Sequence, residues 1–326
     1  MRRRLLASIP TLTVILIASP LTRAQVGHDN TIGAVYDRDV KGQKSGPPPR
    51  HTLAGIWEPA KGGQSGVQGK GAMSMDSCRR DKTTGKYAYD VKAPVTDTGY
   101  ANPDCLKPEV EPPYTPLGLE TLKSHRPGEG YRMVPEPVNN DPQQRCDPGG
   151  FPRILLYNFR TSQILENPEQ IVVLYENQHR YRVIWTDGRE LPKDPESPQW
   201  STKNAAPPES RWWGYSVGKW VDDYTFVVET NGLNDRTWLD TAGLPHSDAL
   251  QVEETYHRVD ADHLEMTVKI SDPKMYTKPW VAMDKLSLRL QSPHLDIEEY
   301  ECSPTELEHY HKIFGDQAGF PPSEGK

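Results

Sequence analysis

The chain lacks an excess of positive charge. Its 326 residues include 38 Lys and Arg against 45 Asp and Glu, which gives a net charge of −7. An acidic chain of this kind offers no basic face for a phosphate backbone, so we do not expect nucleic acid as a partner. Hydrophobic residues make up only 35% of the chain, which predicts a modest core and many loops.

Long apolar runs are also missing, except at the N-terminus. Arg2–Arg4 precede an apolar run over residues 5–21, and small residues follow it up to Ala24. This is the pattern of a secretory signal peptide that is cleaved after Ala24. A membrane anchor is the alternative, but Pro10 and Pro20 interrupt a run whose length is marginal for crossing a bilayer. We expect an exported (periplasmic or secreted) chain that does not span the membrane and carries a net charge of −11 once the leader is removed.

Cysteine is scarce and widely spaced. The four cysteines are Cys78, Cys105, Cys146 and Cys302, and no C-x-x-C pair occurs among them. That spacing argues against zinc and thiol-redox sites, while an exported chain favours two disulfides. Three connectivities are open. We expect the local pair Cys78–Cys105, which leaves Cys146 to bond Cys302.

The N-terminal half has little regular periodicity and much proline. Residues 25–52 are interpreted as an extended leader, and residues 53–150 as an irregular, proline-rich segment that wraps a core. Two exceptions are a first short strand over 53–57 and a helix over 115–125, in which Thr115 is the cap and Pro116 takes the first helical position.

The character changes at Phe151, where strands and turns begin. Leu264, Met266, Val268 and Ile270 alternate with polar residues, which is typical of an antiparallel strand with one buried face. The predicted strands span residues 153–157, 162–166, 170–175, 181–186, 214–220, 224–230, 250–258, 263–271, 283–291 and 298–302. We predict an all-β fold over residues 151–326, either an antiparallel up-and-down barrel or a strongly curved sandwich, with few short helices and a C-terminal helix.

The connections between these strands differ in length. On an up-and-down path the long ones fall at one end, and they span residues 187–213, 231–249 and 272–282. The short ones fall at the other end and span residues 176–180, 221–223, 259–262 and 292–297.

Long connections in a compact domain are usually functional or disordered. Five of the eight tryptophans lie in the long connections, at positions 200, 212, 213, 238 and 280. Disordered loops are poor in aromatic residues, so we expect these loops to be folded and to line a pocket.

The connection 231–249 holds the candidate catalytic residues. His246 and Asp248 stand two apart, and Asp240 lies six residues upstream. A histidine oriented by a carboxylate is the usual general base. Ser247 has no G-x-S-x-G surroundings that would mark it as a nucleophile. A contact to a ligand, or a simple turn with the histidine packed on tryptophan, are the alternatives for His246.

Aromatic and cationic side chains in the same connections favour a small amphipathic ligand. The candidate ligand-binding residues are Trp238, Trp212, Trp213, Trp280, Tyr276, Arg236 and Arg189. Because His179, His257 and His263 fall near the short turns, we expect no metal, and we expect no cofactor. The first hypothesis is a protein that binds a small apolar or aromatic molecule. The alternatives are a hydrolase, lyase or isomerase that uses His246, and an envelope protein that binds a partner through the same apolar mouth.

Four motifs carry a resemblance. They are CDPGGFPR (146–153), IWTDGR (184–189), WWGYSVGKW (212–220) and TWLDTAGLPHSD (237–248). In this order they resemble a group of uncharacterised exported bacterial proteins, over the chain from Leu53 to its C-terminus. That resemblance implies no particular activity. A barrel with one loop-rich mouth also resembles the lipocalin architecture by analogy of fold, and Gly55-Ile56-Trp57 is a loose counterpart of the lipocalin G-x-W start.

Overall fold

A computed structural model describes residues 44–60, 112–125, 141–156, 159–193, 211–240, 243–299 and 301–305. Within these residues, nine strands form a closed barrel in which each strand pairs with its neighbours in chain order. The last strand pairs with the first and closes the sheet. The predicted all-β barrel is therefore confirmed. In the described part of the chain, no helix has both the length and the apolar character needed to cross a membrane.

The strands are β1 (Gly55–Pro59), β2 (Ser162–Glu166), β3 (Gln170–Tyr175), β4 (Arg180–Trp185), β5 (Tyr215–Trp220), β6 (Thr225–Asn231), β7 (Gln251–Arg258), β8 (His263–Ser271) and β9 (Trp280–Leu290). The helices are α1 (Pro116–Ser124), a short 3-10 helix (Pro142–Arg145) and α2 (Arg153–Leu156). The first strand comes from the segment that precedes the predicted barrel residues.

Helix α1 forms where the sequence predicts it. The Thr115 side chain accepts a hydrogen bond from the Gly118 backbone N–H at 2.9 Å, and Pro116 occupies the first turn, where no N–H is needed. A side chain at Gly118 would collide with the Met275 carbonyl, since a Cβ there would lie 2.1 Å from that oxygen. The helix therefore lies close against the connection between β8 and β9.

Two predicted strands are wrong. Residues 153–156 form helix α2, in which Ile154 N–H bonds the Gly150 carbonyl and Leu155 N–H bonds that of Pro152. A short apolar run cannot be assigned to helix or strand from its periodicity, and a preceding proline suits the start of a helix. The described residues of 298–302 pair with no strand. Glu298 and Glu299 are exposed there, so this stretch has no apolar face to bury.

The interior of the barrel follows the predicted alternation. Leu264, Met266, Val268 and Ile270 are each fully buried in β8, while the residues between them are half-buried or exposed. The same alternation in β7 buries Val252, Glu254, Tyr256 and Arg258. The barrel therefore has a filled interior, and that interior includes charged side chains.

One strand pair departs from an up-and-down path. Strands β4 and β5 run parallel, with Ile184 beside Ser216 and Trp185 beside Val217. The connection between them therefore starts at one end of the barrel and finishes at the other. It is long enough for the crossover that a parallel pair requires.

This parallel pair changes which connections share an end. We call the end that carries residues 232–250 and 272–279 the upper end. The turn 176–179 also lies at the upper end, whereas the turns 221–224 and 259–262 lie at the lower end. The prediction that 176–180 shares an end with the other short turns is wrong, as is the placement of all of 187–213 at the upper end. His179 consequently lies at the same end as His246, and His263 lies at the opposite one.

Candidate functional site

The turn CDPGGFPR closes part of the upper end. The Phe151 N–H donates to the Trp212 carbonyl at 2.9 Å, and the Gly149 N–H donates to Gln178 Oε1 at 3.0 Å. Gly150 has a φ of 71°, and a Cβ there would lie 3.0 Å from Thr237 Cγ2. Only glycine suits this left-handed and crowded position. The turn therefore contacts the β3–β4 turn, the connection that precedes β5 and the connection that follows β6.

Two further bonds fix this turn. Arg153 makes a bidentate pair with Asp141, with Nη1–Oδ1 at 2.8 Å and Nη2–Oδ2 at 2.5 Å, and both side chains are buried. A disulfide joins Cys146 to Cys302, with the two Cα atoms 5.3 Å apart. The predicted pairing of these two cysteines is confirmed. Cys78 and Cys105 lie outside the described residues.

His246 is buried with both ring nitrogens near polar atoms. Nε2 lies 2.7 Å from Thr237 Oγ1, and Nδ1 lies 3.4 Å from the Ser247 carbonyl oxygen. Burial lowers the pKa of His246, and the charges of Asp272 and Asp235 only partly oppose that shift. A general base needs one nitrogen open to a substrate and a carboxylate on the other. His246 has neither in this arrangement, so its catalytic role stays a prediction.

The predicted carboxylate partners lie elsewhere. Asp240 is buried and accepts a hydrogen bond from the Leu244 N–H at 2.9 Å. Asp248 is exposed and pairs with Lys274. The sequence reasoning missed Asp272, whose carboxylate accepts bonds from the Ser247 N–H at 2.6 Å and the Ser247 hydroxyl at 2.9 Å. Asp272 thus ties the connection before β7 to the connection after β8.

Trp238, Tyr276 and Trp280 pack on neighbouring rings. Trp238 stacks on His125, which follows helix α1, with ring centroids 4.6 Å apart. The Tyr276 and Trp280 rings meet edge to face at 5.3 Å, and the Tyr276 hydroxyl donates to the Pro245 carbonyl at 2.7 Å.

Trp213 stacks on Tyr175 of β3, with ring centroids 6.0 Å apart and planes inclined by 15°. Trp212 is half-buried beside it in sequence. The structure therefore brings one predicted ligand-binding residue, Trp213, onto the strand turn that closes the upper end.

The two predicted arginines have different surroundings. Arg236 is exposed. Arg189 pairs with Asp187, donates to Tyr215 Oη at 3.0 Å and lies 3.6 Å over the Trp185 ring. The hydrogen bond from Arg189 lowers the pKa of Asp187. Arg189 is therefore engaged within its own turn.

A buried charged group inside the barrel was not predicted. Arg182 of β4 pairs with Glu254 of β7, with Nη1–Oε1 at 3.0 Å and Nη2–Oε2 at 2.5 Å. The guanidinium also donates to Ser216 Oγ at 3.0 Å and to Thr230 Oγ1 at 2.8 Å. The two charged side chains are 1% and 0% exposed. Burial opposes the charge on Arg182, but the Glu254 carboxylate outweighs that effect and raises the pKa of the arginine.

Three aromatic residues surround this ion pair. The Tyr256 hydroxyl donates to Glu254 Oε1 at 2.6 Å, and the Phe151 ring lies 3.8 Å from Arg182 Cζ. Burial raises the pKa of Tyr175 to about 12, with Arg182 opposing the rise. Burial and the Glu254 charge also raise the pKa of Tyr256. We call Arg182, Glu254, Ser216, Thr230, Tyr256 and Tyr175 the polar cluster.

Tyr175 differs from the other members of the polar cluster. Its hydroxyl is buried and makes no hydrogen bond of ordinary geometry with the described residues, although the Arg182 guanidinium lies near enough to interact with it. Leaving a buried hydroxyl unpaired costs about 1–3 kcal/mol, so such a group calls for an explanation.

The sequence held a signal for this cluster. Arg182 and Glu254 take the inward positions of strands whose other inward residues include Ile184, Val252 and Tyr256. A charge in phase with the apolar residues of a strand marks a buried polar site.

No family model matches the chain, and no curated protein or solved structure is significantly similar to it. Among the residues that the structure describes, no three His, Cys, Asp or Glu side chains are grouped so that they could hold a metal ion. The function must therefore be argued from the chemistry of the site itself.

The buried His246 should make the protein sensitive to acid. Its pKa lies below the ordinary 6.5 when folded, so the unfolded chain takes up a proton first as the pH falls. The unfolding free energy should therefore fall below pH 6.5, by up to about 1.4 kcal/mol per pH unit, until the folded pKa is reached. Urea denaturation between pH 5 and pH 8 should show this slope in the wild type and a smaller one in His246→Gln. Equal slopes in the two proteins would contradict a neutral, buried His246.

Proposed function

We propose that this chain is an exported protein that binds a small apolar or aromatic molecule at the upper end of its barrel, against the polar cluster. The observation that carries the proposal is the buried Arg182–Glu254 pair beneath Phe151, with the unpaired Tyr175 hydroxyl beside it.

A purely structural core would not need this pair. Removing two charges from water costs several kcal/mol per ion, and apolar side chains of similar volume often give equal or better stability. Small barrels commonly fill their interiors with side chains alone. A charged network kept in that position is therefore better explained by recognition of a ligand than by stability.

The ligand's chemistry follows from the groups that it would meet. Tyr175 offers a hydroxyl donor, so the ligand carries an acceptor such as a carbonyl oxygen. Trp213 already stacks on Tyr175 and is half-buried. An aromatic ligand can take the place of that indole ring with little change in the contacts of Tyr175. Entry between Trp213 and Tyr175 requires Trp213 to move, because the hydroxyl is covered in this structure.

Two observations favour export and binding over the alternatives. The Cys146–Cys302 bond suits an oxidising compartment, as an exported chain would meet. Both ring nitrogens of His246 contact protein atoms, so binding is a better account than a catalytic role for this histidine.

A pair of tyrosine variants tests the proposal, with the neutral fluorescent ketone prodan as the probe. Tyr175→Phe removes a hydroxyl that makes no hydrogen bond of ordinary geometry and interacts only with the already paired Arg182, so it should change the unfolding free energy little. It should weaken prodan about tenfold and shift the bound emission to the blue, because the hydrogen bond to the carbonyl is lost. Titration by fluorescence measures both effects.

Tyr256→Phe is the matched control. It removes a hydroxyl that donates to Glu254, so it should cost about 1–3 kcal/mol of unfolding free energy. The proposal fails if wild type does not bind prodan, or if Tyr175→Phe binds it as wild type does.

A further inference from the structure

A groove lies on the outside of the barrel, and Tyr175 is the one member of the polar cluster among its described lining residues. Its floor is one cross-strand row in which Ile56 pairs with Gln163, Gln163 with Leu174, and Leu174 with Tyr181. The cavity has a volume of about 620 Å³, with residues 293–297 as its opposite wall. We call this cavity the outer groove. Its size falls within the range of small-molecule pockets.

The wall of the outer groove is held at both ends. Gln291 N–H donates to the Ile56 carbonyl at 2.7 Å, directly after β9 ends. The disulfide from Cys302 to Cys146 fixes the chain beyond the wall. Between these anchors Leu295 and Ile297 are half-buried, while His294 and Asp296 are exposed. The wall therefore has two half-buried apolar side chains and two exposed polar ones.

The outer groove holds one exposed arginine. Arg180, His179, His294 and Asp296 are the polar residues at this side of the cavity among the residues that the structure describes. Arg180 is exposed and has no ion-pair partner among the described residues. Tyr181 beside it is 66% exposed, the highest value among the large hydrophobic side chains that the structure describes. A free guanidinium next to an uncovered aromatic ring suits a ligand that is both anionic and apolar.

We propose that the outer groove binds an organic anion with an apolar body. The anionic group meets Arg180, and the body lies between the Leu174–Tyr181 part of the floor and the side chains of Leu295 and Ile297. Tyr175 borders this cavity as well, but the two sites differ in their charged group, because Arg180 is exposed at the outer groove while Arg182 is buried in the interior.

The experiment compares two probes that differ in charge. One is the anion 8-anilinonaphthalene-1-sulfonate, and the other is the uncharged N-phenyl-1-naphthylamine. Arg180→Gln should weaken the sulfonate about tenfold and change the uncharged probe less than twofold, since it removes a charge-assisted contact and little apolar surface. Lys219→Gln is the control, because it removes one exposed positive charge from β5. It should alter neither probe.

Two further variants test the floor and the wall. Tyr181→Ala should weaken both probes, and so should the double variant Cys146→Ser/Cys302→Ser, because the wall loses its second anchor. Prodan binding that depends on Tyr175 should not respond to Arg180→Gln. The proposal is overturned if Arg180→Gln leaves sulfonate affinity unchanged, if Lys219→Gln lowers it equally, or if wild type binds neither probe.

Discussion

Glu254→Gln should lower the unfolding free energy by about 3–5 kcal/mol, because it leaves the Arg182 charge buried without a counter-charge. The amide keeps one acceptor oxygen in place of two, and it has no charge to balance a guanidinium that is 1% exposed. The loss should appear in urea denaturation as a lower midpoint with an unchanged slope.

A double variant separates stability from recognition. Arg182→Met with Glu254→Leu removes both charges and keeps the interior filled, so it should regain most of the stability that Glu254→Gln loses. Prodan binding should nevertheless weaken in the double variant, because Tyr175 loses the neighbouring Arg182 guanidinium and the charged part of the polar cluster is gone. A double variant that is stable and binds prodan like wild type would show that the ion pair serves the fold alone.

Met266→Asp should unfold the protein or cost several kcal/mol, because it places an unpaired carboxyl group in the fully buried face of β8. Glu265→Gln changes the neighbouring residue on the opposite, half-buried face, so its effect should stay within about 0.5 kcal/mol. Thermal and urea unfolding measure both variants. Similar effects in the two would contradict the assignment of Met266 to the interior.

The strands were predictable where one face is buried. The predicted bounds of 162–166, 170–175 and 263–271 are those observed for β2, β3 and β8. Alternation of side chains carries this information, because a shift of one residue would expose every apolar side chain. The Thr115 cap was predictable because a threonine followed by proline marks a helix start, and the Cys146–Cys302 pair because Cys78 and Cys105 were assigned to each other.

The direction of β5 was not predictable in the same way. A long connection permits either a parallel or an antiparallel neighbour, and the choice depends on pairing between Ile184 and Ser216, which are distant in sequence. Because β4 runs parallel to β5, the turn 176–179 lies at the upper end and not at the predicted lower end. Helix α2 was missed because four apolar residues fit either a buried strand or a buried helix turn.

The candidate site was only partly predictable. The aromatic content of the long connections predicted Trp213 as a ligand-binding residue. The chemistry of the same connections predicted His246 as a catalytic residue, but both of its ring nitrogens contact protein atoms. Arg182 and Glu254 are 72 residues apart, and they meet only because the barrel closes. The alternation of apolar and polar residues in each strand predicts that both side chains point inward, but it does not predict that they form an ion pair.

A crystal structure of the protein with prodan bound tests the central claim most directly. We expect the prodan carbonyl oxygen at hydrogen-bond distance from Tyr175 Oη, the aromatic rings of the probe over Tyr175, and Trp213 displaced from its stack. A structure in which Trp213 still covers Tyr175, with the probe elsewhere or absent, would contradict the proposed binding site.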